Sequence, residues 1–118
     1  MHNFKELNVW KESKDLCVLV YKLTKIFPTS EKYGIISQIN RSSVSIPSNI
    51  AEGAGRNSNN DFARFIHIAT GSSFELETQL MIAFEIGYID NENFEKVINQ
   101  LNKIQKMLVS FNKHLKQN

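Results

Sequence analysis

At 118 residues the chain has the length of one domain, taken as 1–118, and 42% hydrophobic with 22% charged residues is ordinary globular composition, which excludes a disordered polymer. A formal net charge of +2 is too small to mark the whole molecule as a coat for nucleic acid or an anionic membrane. Cys17 is the one cysteine, so an intramolecular disulfide and a cysteine-based metal site are both excluded, in keeping with a reducing compartment.

The stretch from Met1 to Glu6 lacks the basic-then-apolar order of a signal peptide. The longest apolar run, Cys17 to Tyr21, falls far short of a membrane span, so a cytoplasmic protein without a membrane partner is expected. A first helical segment is predicted from about Phe4 to Phe27, ending at Pro28-Thr29-Ser30. Val9, Leu16, Val20, Leu23 and Phe27 form its apolar stripe, with Leu7, Trp10, Cys17 and Tyr21 beyond it. Thr29 or Ser30 is a candidate cap for the second segment, which runs to about Gly53-Ala54-Gly55. Its apolar steps are Ile36, Ile39, Ser43, Ile46 and Ile50, and they pass Pro47 without a change of phase, so one helix kinked at the proline is expected.

The polar string Arg56 to Asn60 makes the next turn, with Ser58 or Asn59 as cap, and the third segment runs to Gly87. Phe62, Ala69, Ser73, Leu76, Leu80 and Ala83 share one of its faces, widened by Phe65, Ile68, Ile82 and Ile86. Asp90 or Asn91 starts the fourth, where Phe94, Ile98, Leu101, Ile104, Leu108, Phe111 and Leu115 step by threes and fours. Nothing alternates long enough for a strand, and short turns between long helices imply an all-α, antiparallel up-down four-helix bundle. Helices apolar over so much of their circumference imply that neighbouring copies cover them, in a homo-oligomer.

Polar residues also recur at helical spacing. Gln38, Arg41, Ser45, Asn49, Glu52 and Arg56 lie on one side of the second segment, and Arg64, His67, Gly71, Glu75 and Thr78 on one side of the third. Ser45, Asn49, Gly71 and Thr78 are unusual choices for exposed mid-helix positions, which points to a hydrogen-bonded network between helices or around an oligomer axis. Gly71 in that row suggests a close backbone approach. An antiparallel turn near Asn57-Ser58 puts Arg41 level with Glu75 and Glu52 level with Arg64, so at least one ion pair is expected, within the chain or across a subunit interface.

Chemistry is harder to find. No histidine stands in a Glu-x-x-His pair, so a di-iron site is excluded, and no other cofactor or metal is indicated. Glu75 and Glu77 are two residues apart and face different ways. Gly53-Ala54-Gly55 follows a helix rather than a strand, against a phosphate loop. Ser45 with His67 makes a hydrolase pair only by accident of packing, and an enzyme built on Glu52, Glu75 and His67 needs all three in one cleft. The basic residues are more suggestive. Lys96, Lys103, Lys106, Lys113 and Lys116 follow Glu95 with no acid between them, joined by Lys22 and Lys25, a strip suited to phosphate backbones.

Two long strings, Ser45 to Gly53 (SIPSNIAEG) and Phe62 to Leu80 (FARFIHIATGSSFELETQL), together with Leu7-Asn8-Val9-Trp10, Phe27-Pro28, Gln38 and Arg41, resemble the bacterial 23S ribosomal RNA intervening-sequence proteins along essentially the whole chain. The resemblance implies an up-down bundle that assembles into a homopentamer with a central channel and has no established catalytic activity. Some members of that family are encoded inside insertions in ribosomal RNA genes. A relative of the fold, the accessory protein of diversity-generating retroelements, is a basic pentamer that binds nucleic acid and a reverse transcriptase. The expectation is therefore a non-enzymatic oligomeric binding or scaffolding bundle. Its partners are further copies of itself together with RNA or another nucleic acid; the alternative is a protein–protein adaptor whose partner is encoded nearby.

Overall fold

The computed structural model describes residues 2–117 and contains four long helices: α1 (Asn8–Thr24), α2 (Ile35–Ala54), α3 (Asn59–Glu85) and α4 (Asn91–Lys116). Two 3-10 turns, Phe4–Glu6 and Thr29–Glu31, precede α1 and α2. Each helix packs on the next and α4 closes onto α1. Side-chain pairs fix the directions. Cys17 meets Ser43 while Thr24 meets Asn40, and Ser42 meets Gln79 while Ser45 meets Ser72. His67 meets Asn112 while Glu77 meets Gln105. In each pair of pairs one number rises as the other falls, which is antiparallel packing. The result is an all-α bundle 46 Å long.

Local chemistry sets most boundaries. Ser58 accepts from the Asp61 amide at 3.1 Å and Asp90 from the Asn93 amide at 2.8 Å, capping α3 and α4 as their residue types favour. α3 ends in a Schellman turn: Tyr88 N–H donates to Ala83 O (2.9 Å) and Gly87 N–H to Phe84 O (3.0 Å). Gly87 has φ +92°, a conformation that a β-carbon would strain.

The first two segments differ from expectation. α1 stops at Thr24 because Ile26 N–H and Phe27 N–H turn back to Leu23 O and Thr24 O, three residues earlier, and Pro28 then forbids a helical Phe27. Phe27 is still buried, but from the turn. At the other end, the extended backbone of Leu7 separates Phe4–Glu6 from α1. Neither Thr29 nor Ser30 caps α2; Gly34 occupies its N-cap. Glu31 instead accepts a hydrogen bond from the Tyr88 hydroxyl at 2.8 Å.

α2 runs unbroken past Pro47. Ile39, Ile46, Ile50, Leu16, Val20, Phe62, Ile66, Leu76, Leu80, Leu101, Ile104 and Leu108 make the centre of one shared core. At the end of α2, Gly53 packs closely against α3. A β-carbon on Gly53 would lie 2.7 Å from both Phe62 Cδ1 and Phe65 Cβ.

Two outcomes are expected. Gly53→Ala should force α2 and α3 apart and cost about 1–3 kcal/mol in denaturant unfolding, the usual range for overpacking. The Tyr88 hydroxyl is held above its ordinary range, first by its bond to Glu31, then by desolvation and by the negative charge. A folded value above the unfolded one means the bond's contribution is complete below the ordinary tyrosine range and is lost as pH climbs through the raised value. Tyr88→Phe should therefore melt earlier than wild type at neutral pH, with the gap closing in strongly alkaline buffer.

Candidate functional site

The α2–α3 seam carries part of the expected polar network. The Ser45 and Ser72 hydroxyls share a 2.8 Å hydrogen bond, and Asn49 Nδ2 donates to Ser45 O (2.8 Å) and Oγ (2.9 Å). Below them the buried Ser42 hydroxyl donates to Gln79 Oε1 at 2.7 Å. Ser42, Ser72 and Gln79 were not singled out in the sequence; Ser42 sits three residues after the core residue Ile39, the one sign that it faces inward. Ser45 and Asn49 are half-buried, whereas Gln38, Arg41, Glu52, Arg64, His67 and Glu75 are exposed.

Within the chain the two level ion pairs do not form. Glu52 pairs with Arg56 at 3.3 Å and Arg64 with Asp61 at 3.5 Å. Both partners stand three or four residues away in sequence, a spacing that brings β-carbons within about 5–6 Å where the backbone is helical. Arg41 and Glu75 both line a polar groove of about 460 Å³ with Gln38 and Gln79 without reaching each other. Beyond the adjoining backbone of its own helix, no atom lies within 4 Å of a β-carbon built on Gly71, so the close approach expected there is absent within the chain. His67 faces α4, where Asn112 Nδ2 stands 3.4 Å from its Nε2. Glu52, Glu75 and His67 thus do not gather in one cleft. Among the described residues no group of three or more His, Cys, Asp or Glu comes together.

The lysine strip is divided. Lys103 is taken by Glu12 of α1 at 3.0 Å. Lys96, Lys106, Lys113 and Lys116 are exposed and, among the described residues, make no ion pair. Five lysines against Glu92 and Glu95 leave α4 at +3, whereas Arg64 against Asp61, Glu75, Glu77 and Glu85 leaves α3 at −3. A groove of about 700 Å³ runs between the start of α1 and the last turns of α4, lined by Lys106, Ser110 and His114 and by a single acid, Glu6. The outer half of α3 is apolar as well as acidic: Phe74 (54%), Met81 (45%), Ile82 (48%) and Ile86 (53%) stand open to solvent. No helix is long and apolar enough to cross a membrane among the described residues.

The family model described as 23S rRNA-intervening sequence protein matches residues 5–110. The chain belongs to that family. Among solved structures, the chain is similar to a protein of unknown function from the S23 ribosomal protein family of Bacteroides thetaiotaomicron VPI-5482. The two are 30% identical with a TM-score of 0.79, over 89% of this chain and 98% of the other. No curated protein matches. Ser42 and Gln79 make a testable internal bond: Ser42→Ala should strand the Gln79 acceptor and cost roughly 1–2 kcal/mol in thermal unfolding.

Proposed function

We propose that this protein is a non-enzymatic, cytoplasmic scaffold of several copies, a pentamer, that holds RNA or another nucleic acid against the lysines of α4. The observation that carries this reading is the run of four exposed lysines that make no ion pair among the described residues, Lys96, Lys106, Lys113 and Lys116, on a helix of charge +3. Lysine ammonium groups displace the counterions of a phosphate backbone without reading bases, so the interaction is electrostatic and salt-sensitive. Repetition around a ring turns one weak strip into several that a single RNA can engage together. In α2, Pro47 has no N–H for the Ser43 carbonyl and its ring crowds the preceding turn, which favours a bend there.

A second reading, an adaptor for another protein, is favoured by the exposed Phe74, Met81, Ile82 and Ile86. Fluorescence anisotropy with a labelled RNA hairpin across a salt series separates the two. Binding should weaken steeply with salt, and replacing Lys106, Lys113 and Lys116 by Glu should reduce affinity at least tenfold and flatten the salt slope by about 2–3, close to 0.7–0.9 for each contact removed. Unchanged affinity in the variant, or no RNA binding by the parent at low salt, overturns the nucleic-acid reading.

A further inference from the structure

The acidic, apolar outer half of α3 has a counterpart elsewhere on the same molecule. Between α1 and α2 runs a groove of about 600 Å³ walled by Tyr21, Tyr33, Ile36 and Val44. Tyr33 is 88% exposed at its lip and Tyr21 is 42% exposed. The groove continues past Thr24 and Phe27 towards the turn, where Lys25 joins Lys32. No carboxylate lines either part, and Lys25 and Lys32 form no ion pair among the described residues. Glu31, the acid next to Lys32, is held by the Tyr88 hydroxyl.

The ridge on α3 has the opposite character. Phe74, Met81, Ile82 and Ile86 project with Glu75 and Glu85, and no basic residue lies between Phe74 and Ile86. Glu75 and Glu85 make no ion pair among the described residues. The ridge spans about 18 Å of helix at 1.5 Å per residue.

We propose that the α3 ridge of one copy seats in the α1–α2 groove of the next, so that the protein assembles head to tail. This rests on the oligomeric reading above and adds to it the two surfaces that meet. Both are apolar at their centres, where burial drives association, and they carry opposite charges at their edges, which fixes the pairing and disfavours ridge on ridge or groove on groove. Because the two patches differ, the contact is heterologous, and a fixed rotation from copy to copy closes it into a ring. The α4 lysines belong to neither patch and stay on the surface of the assembly.

The occupant of the groove is thus a second copy of this chain, and charge reversal tests it on the full-length protein by light scattering, with circular dichroism to verify folding. Wild type should have several times the 13.6 kDa chain mass. Lys25→Glu with Lys32→Glu, and separately Glu75→Lys with Glu85→Lys, should each lower the assembled mass. The chain carrying all four substitutions should regain it, because reversed ridge again meets reversed groove. Ile82→Asp, which spoils the apolar centre, should dissociate the protein without rescue by the charge changes. A wild-type monomer overturns the oligomeric reading and this pairing with it. A wild-type oligomer that survives both charge reversals, or a fourfold variant that stays dissociated, leaves the oligomer standing and overturns only the pairing.

Discussion

Where α2 leaves its last turn, Gly53 lets Phe62 and Phe65 of α3 come so near its α-carbon that no β-carbon fits between them. That contact fixes how the second half of the bundle is laid against the first. It brings the two helices together at the turn, and the antiparallel run away from it places Ser45 opposite Ser72 and Ser42 opposite Gln79. Once those bonds close, Ala69, Leu76, Leu80 and Ala83 have one way to face, into the shared core. The opposite half of α3 is then committed to the outside together with Ile68 and Ile82. The exposed apolar surface follows directly from how the core is packed.

Charge is sorted by helix in the same structure. α3 is strongly acidic and its neighbour α4 strongly basic, while the chain as a whole is close to neutral. A net charge near zero therefore hides two surfaces of opposite sign, each apt for a different kind of contact. Glu12 and Gln105 soften the boundary between elements, the first by binding Lys103 and the second by binding Glu77. Among the described residues Lys96, Lys106, Lys113 and Lys116 make no ion pair and stand exposed, where a partner can reach them.

Some of this was legible in the sequence because its causes are local. Ser58, Asp90 and Gly87 act on backbone groups within a turn of themselves, and residue type alone announces what they do. The core stripes were legible for the same reason, since helical periodicity needs no knowledge of partners. The start of α2 was not, because Glu31 is engaged by Tyr88, 57 residues away, and no spacing rule reports such a contact. The polar stripes fell between these cases. Ser45 and Asn49 are odd residues for an open helix face and proved half-buried and bonded, but Glu52 and Arg64 had acceptable partners on their own helices. Lys103 was indistinguishable from its neighbours until Glu12 was seen beside it.

Pro47 carries a consequence for the motions of α2. Its missing N–H takes one bond, at the Ser43 carbonyl, out of the ladder of backbone bonds, while the buried Ile46 and Ile50 beside it pack into the core. Opening of a helix spreads most readily from a place where the ladder is already broken. The stretch before Pro47 is bonded to α1 through Asn40 and Ser43 and to α3 through Ser42 and Ser45, whereas the stretch after it meets α3 at Gly53. Amide protons before Pro47 will therefore exchange as α1 or α3 loosens, and those near Gly53 as α3 does.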